Sequence, residues 1–73
     1  MNTYFVVKLI FDDHSDAIAL NTKTAAKVYA KPLTKEKYPN LQSNNIVVIE
    51  ARNAAAAEIN VAFGEGKTVA TYC

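Results

Sequence analysis

The chain has 73 residues, 51% hydrophobic and 21% charged, with two Gly and two Pro; that composition excludes disordered, collagen-like and mucin-like classes. Its net charge of +1 names no partner, and the length holds one domain, residues 1–73. No apolar run approaches the roughly 18–20 residues of a membrane span, because the longest, Tyr4 to Phe11, is cut by Lys8.

Residues 3–12 read as a strand rich in β-formers. Phe5, Val7, Leu9 and Phe11 make one face; Tyr4, Val6, Lys8 and Ile10 make the other, which is also mostly apolar. Asp12 to Asp16 has the composition of a turn. Ala17 to Leu20 can close a hairpin as a short second strand. Asn21 or Thr22 is a fair helix N-cap. Lys23 to Lys31 then reads as a helix with Ala25, Val28 and Tyr29 as its apolar stripe. Pro32 ends it. Residues 32–45, with Pro32, Pro39 and several Asn, read as a long connection.

Ile46 to Ala51 is a second strand, apolar on both faces, which suggests burial on both sides. Residues 53–63 admit two readings. Ile59, Val61 and Phe63 alternate like a strand, whereas Ala54 to Ala57 is a run of the best helix former. Asn53 as N-cap and Gly64 at the C′ position favour the helix. Its apolar face would hold Ala51, Ala55, Ile59, Ala62 and Phe63. Thr68 to Tyr72 is the last strand. The expected fold is α+β: a small two-layer sandwich of three or four strands, with one or two short helices on one sheet face.

Motifs for chemistry are weak. Gly66-Lys67-Thr68 looks like the tail of a phosphate-binding loop, but the Gly required five residues earlier is Val61. Asp12, Asp13, His14 and Asp16 form an acidic loop lacking the Gly and terminal Glu of a calcium-binding EF-hand. His14 is the only histidine and Cys73 the only cysteine, too few for structural zinc. Nothing places a base beside a nucleophile. Glu50, Glu58 and Glu65 read as scattered surface charges. The expectation is a protein that is not an enzyme and takes no metal or cofactor. A lone cysteine and an N-terminus without a signal-peptide pattern point to the cytoplasm.

The charge is unevenly spread. Residues 1–20 carry one Lys and three Asp, residues 21–40 five Lys and one Glu, and residues 41–73 two basic and three acidic groups. Lys23, Lys27 and Lys31 recur at i, i+4 and i+8, with Lys35 and Lys37 beyond; Tyr29 and Tyr38 lie among them. Such a patch suits an acidic protein surface or a phosphate backbone, or is a solvated helix face. It contains no Arg, so direct nucleic-acid binding is expected to be weak or absent. A second candidate surface follows from helices on one sheet face. Tyr4, Val6, Ile10, Ile46, Val48 and Tyr72 would remain on the other face as a homodimer interface, unless the 32–45 connection folds over them. A domain this small buries only roughly 60% of its unfolded surface, so a partner or second copy would help it.

Tyr4–Leu9, Lys23–Ala30 and Gly66–Lys67 followed by Cys73 resemble the layout of small phage-encoded host-takeover and anti-CRISPR proteins, in particular an inhibitor of type I-F CRISPR complexes. The resemblance implies a non-enzymatic inhibitor that binds a host nucleoprotein complex through contacts competing with nucleic acid. The 32–45 connection and the Ala54–Ala57 run have no counterpart there, and a helix at 53–63 would be a strand in that family.

Overall fold

The computed structural model describes residues 1–72; the sequence reading of Cys73 lies outside them. Four strands form one antiparallel sheet: β1 (Asn2–Phe11), β2 (Ser15–Leu20), β3 (Leu41–Ala51) and β4 (Lys67–Thr71), in the order β2-β1-β3-β4. Two helices, α1 (Lys23–Ala30) and α2 (Ala54–Ala62), interrupt the strands. The fold is α+β, as the sequence indicates.

The helices lie on opposite sheet faces, not on one. Successive side chains of a strand point to opposite faces. Val7, Leu9 and Ile46 pack with Ala26 and Ala30 of α1, whereas Val6 and Val47 pack with Ala57 and Val61 of α2. The register agrees, since Val7 stands opposite Ile46 and Val6 opposite Val47. The reason is topological. β2 and β3 both run antiparallel to β1, so β2-α1-β3 is a crossover between parallel strands. β3 and β4 are antiparallel neighbours, so no crossover rule binds α2 to the face of α1. The apolar character of both strand faces is what such double coverage requires.

β3 begins at Leu41, five residues earlier than the sequence suggests, and absorbs Asn44 and Asn45. Asn44 is fully buried, and its Nδ2 donates to the carbonyls of Ala30 and Leu33, each at 2.9 Å. The amide thereby ties β3 to the exit of α1. The connection shortens to residues 31–40, where Leu33 packs against the core.

The helix ends follow local chemistry. The side chain of Thr22 accepts from the Ala25 N–H at 3.1 Å, and that of Asn53 from the Ala56 N–H at 2.8 Å; both are N-caps. At the end of α2, Gly64 N–H reaches the Val61 carbonyl and Glu65 N–H the Asn60 carbonyl. That bond pair, with Gly64 at φ 93°, is a Schellman motif. A helix thus stands where the type I-F inhibitor pattern has a strand.

Candidate functional site

Both helices bury small residues and expose larger apolar ones. α1 buries Ala26 and Ala30, and the expected stripe of Ala25, Val28 and Tyr29 is exposed instead, with Val28 71% accessible. α2 buries Ala57 and Val61, while the expected face of Ala55, Ile59, Ala62 and Phe63 looks outward. The physical reason is proximity. Alanine lets a helix backbone approach the sheet closely, and Val7, Leu9, Leu41 and Ile46 already supply the bulk beneath α1.

The consequence on α1 is a cationic groove with an apolar floor. Lys27 and Lys31 line it with Thr24, Val28 and Tyr72, the residue following β4. It holds about 430 Å3 and is open to solvent. All five lysines of the basic island are exposed. Among the described residues none of them has a carboxylate within 4 Å, since the ion pairs all involve His14. Lys23 begins the same helical stripe as Lys27 and Lys31. Lys35 and Lys37 lie on the turn beyond, and the Lys37 ammonium sits 5.6 Å from the Tyr38 ring centroid, within cation–π range. Tyr29 is exposed but lies about 200° around the helix from Lys27, so it does not line the groove.

The second expected surface does not assemble. Tyr4, Val6 and Ile10 point to the α2 face, and Ile46, Val48 and Tyr72 to the α1 face. Val6 and Ile46 are fully buried, and Tyr4, Ile10, Val48 and Tyr72 are half-buried. No single open sheet face carries the six, because a helix covers each side. Tyr72 belongs with the lysines. Val28 also belongs there; its apolar type at a position between Lys27 and Lys31 was the available signal.

The other polar clusters offer little chemistry. His14 stacks on Phe11 with centroids 4.5 Å apart and 10° between ring planes. Its Nδ1 lies 2.6 Å from Asp13 Oδ1 and its Nε2 3.7 Å from Asp16 Oδ2. The hydrogen bond from His14 holds the Asp13 carboxyl below the usual carboxylate range, helped by a backbone hydrogen bond and the histidine charge. Among the described residues no set of three or more His, Cys, Asp or Glu side chains is placed to hold a metal ion. A polar cavity beneath the end of α2, lined by Lys8, Asn45, Glu65 and Thr68 among others, holds about 120 Å3. That is below the roughly 300 Å3 at which small-molecule sites begin. No helix is long and apolar enough to cross a membrane.

No protein-family model, curated protein or solved structure matches the chain. The functional reading therefore rests on its own surfaces.

Proposed function

We propose that this chain is a non-enzymatic protein-binding module whose α1 face engages an acidic protein surface. The observation that supports it is the groove of Lys27, Val28, Lys31 and Tyr72. It pairs charges that have no internal counter-ion with an exposed branched apolar side chain. Lysine stems lie along apolar surface and keep the ammonium in water, so a partner meets an apolar centre inside a cationic rim. That arrangement favours an apolar anchor flanked by carboxylates. Lys23, Lys35 and Lys37 extend the attraction beyond the groove, with Tyr38 beside Lys37.

The resemblance to phage inhibitors gives this reading its target class: a host nucleoprotein complex whose nucleic-acid path an acidic-binding module could compete for or block. Residues 54–62, helical in this chain, are a departure from that family. The absence of Arg in the patch favours a protein over bases as the contacted surface.

The test is a tagged pull-down from nuclease-treated host lysate with the wild-type chain and with Lys27→Glu/Lys31→Glu. Retention of one stoichiometric complex by the wild type, lost in the double variant, supports the reading. A complex retained by both would remove the lysines from the site. A signal lost on nuclease treatment would replace protein recognition with nonspecific nucleic-acid binding, whose affinity would fall steeply with salt.

A further inference from the structure

The outward face of α2 consists of Ala55, Ile59, Ala62 and Phe63, spaced i, i+4, i+7 and i+8. Ile59 is 56% and Phe63 82% accessible. No charged side chain lies on that face: Glu58 turns toward β2, where it accepts the Ala19 N–H. A helix apolar on all sides ordinarily has protein on all sides, and α2 has the sheet on only one.

We infer that α2 is a homodimer seam, with a second copy of this chain packing its α2 antiparallel across a two-fold axis near Ile59. Three features select a second copy. The first is size. The two-fold pairs residue 55 with residue 63 of the partner subunit, so small Ala55 receives the partner subunit's Phe63 and the reverse, while the two Ile59 side chains meet at the axis. Ala62 allows the helices to approach to the roughly 8 Å of close helix pairs. The second is charge. Arg52 precedes α2 and Glu65 follows it, both exposed. The same two-fold brings Arg52 to the partner subunit's Glu65 at both ends of the seam, around a charge-free centre. The third is the dipole: antiparallel helices set the positive N-terminus of one beside the negative C-terminus of the other.

The seam is short. Nine residues span about 13 Å, so the contact is at the low end of specific interfaces. The expected dimer is weak, with a dissociation constant on the order of 100 μM. Because α1 lies on the opposite sheet face, both cationic grooves stay open in the dimer, and two linked sites raise avidity for a repetitive partner. The dimer does not depend on the grooves being functional.

Sedimentation equilibrium between about 10 μM and 1 mM tests this. The wild type should pass from monomer to dimer. Phe63→Ser and Ile59→Ser should stay monomeric with unchanged circular dichroism, since both side chains are exposed. Arg52→Glu should weaken the dimer at least several-fold, and Arg52→Glu with Glu65→Arg should recover it. A wild type monomeric throughout, or a dimer that persists in Phe63→Ser and Ile59→Ser, overturns the seam. A dimer indifferent to the charge swap overturns the antiparallel arrangement.

Discussion

The carboxylate of Glu58 accepts a hydrogen bond from the backbone N–H of Ala19 at 2.9 Å, across 39 positions of sequence. Ala19 lies on β2, which ends the sheet. Edge strands present unpaired backbone groups that recruit other strands. Glu58 occupies one such donor and fastens α2 to the edge.

Replacing Glu58 with Ala should therefore destabilise the fold by about 1–2 kcal/mol. For a domain of this size that is a fall in Tm of about 5–10 °C. Glu58→Gln keeps an acceptor of the same reach and should recover most of the loss. Thermal unfolding of the two variants measures the difference. Equal losses for Gln and Ala would show that the contact is not an accepted hydrogen bond.

Asn44 is the second polar anchor. It is fully buried, and its amide donates to two carbonyls at the end of α1 while Oδ1 has no partner among the described residues. Asn44→Ala removes both bonds at a cost of about 2–3 kcal/mol. Asn44→Asp should be worse: it places a carboxylate against two carbonyl oxygens and buries a charge. Denaturant midpoints should fall in the order wild type, Ala, Asp. An Asp variant as stable as wild type would require those carbonyls to find other donors.

The two glycines after α2 should differ sharply. Both have positive φ, 93° at Gly64 and 91° at Gly66. A Cβ at Gly64 meets nothing within 4 Å, so Gly64→Ala carries the backbone penalty alone, about 1–2 kcal/mol. A Cβ at Gly66 would sit 2.6 Å from Val47 Cγ1 and 2.9 Å from the Val48 carbonyl oxygen. Gly66→Ala must therefore also push the start of β4 off β3. Urea titration should rank Gly66→Ala as clearly the more damaging, and hydrogen exchange should show lost protection in β4. Equal stability of the two would contradict the packing of that turn.

These positions show where the sequence was legible. Capping and stop signals are local, so Thr22, Asn53, Pro32 and Gly64 marked the helix ends within a residue or two. Apolar runs on both faces of 3–12 and 46–51 marked buried strands. Two things were not local. Asn44 reads as a loop residue until its carbonyl partners are known, which is why β3 began late in the sequence reading. The buried face of each helix was inverted because bulk was taken as the mark of the core. Ala26, Ala30 and Ala57 are buried by close approach, which depends on what the sheet beneath already supplies. The same inversion concealed Val28, Ile59 and Phe63 as surface features. It also produced an imagined open sheet face, since the helix coverage of Val6 and Ile46 was undercounted.

The Asp13 carboxyl titrates low because His14 donates to it. With the folded value depressed, its contribution to stability is present above the unfolded value and is lost as pH falls through the folded one. Asp13 is exposed on the hairpin, so the effect is small and best read at the site itself. In His14→Ala the Asp13 carboxyl should titrate at higher pH, moving back toward the ordinary range, as followed by carboxyl carbon NMR shifts. An unmoved Asp13 would assign its shift to the backbone.

The groove on α1 separates into an electrostatic and an apolar part, which kinetics can resolve. Lys27 and Lys31 are exposed and carry no internal ion pair, so Lys27→Ala/Lys31→Ala should leave Tm near wild type. Charges at a rim act chiefly on encounter. The double variant should associate with the captured partner several-fold more slowly, and its association rate should lose most of its dependence on ionic strength. Val28 is 71% accessible and lies in the groove floor, so Val28→Ser should also fold normally. Its loss removes an apolar contact made only after docking, and the effect should appear as faster dissociation at an unchanged association rate. Surface-immobilised partner with both variants at two salt concentrations gives all four rates. If Val28→Ser leaves dissociation untouched, the groove floor is not contacted and the lysines act as a diffuse field. If the lysine variant changes only dissociation, its ammonium groups are buried against carboxylates in the complex, and the groove is the centre of the interface instead of its rim.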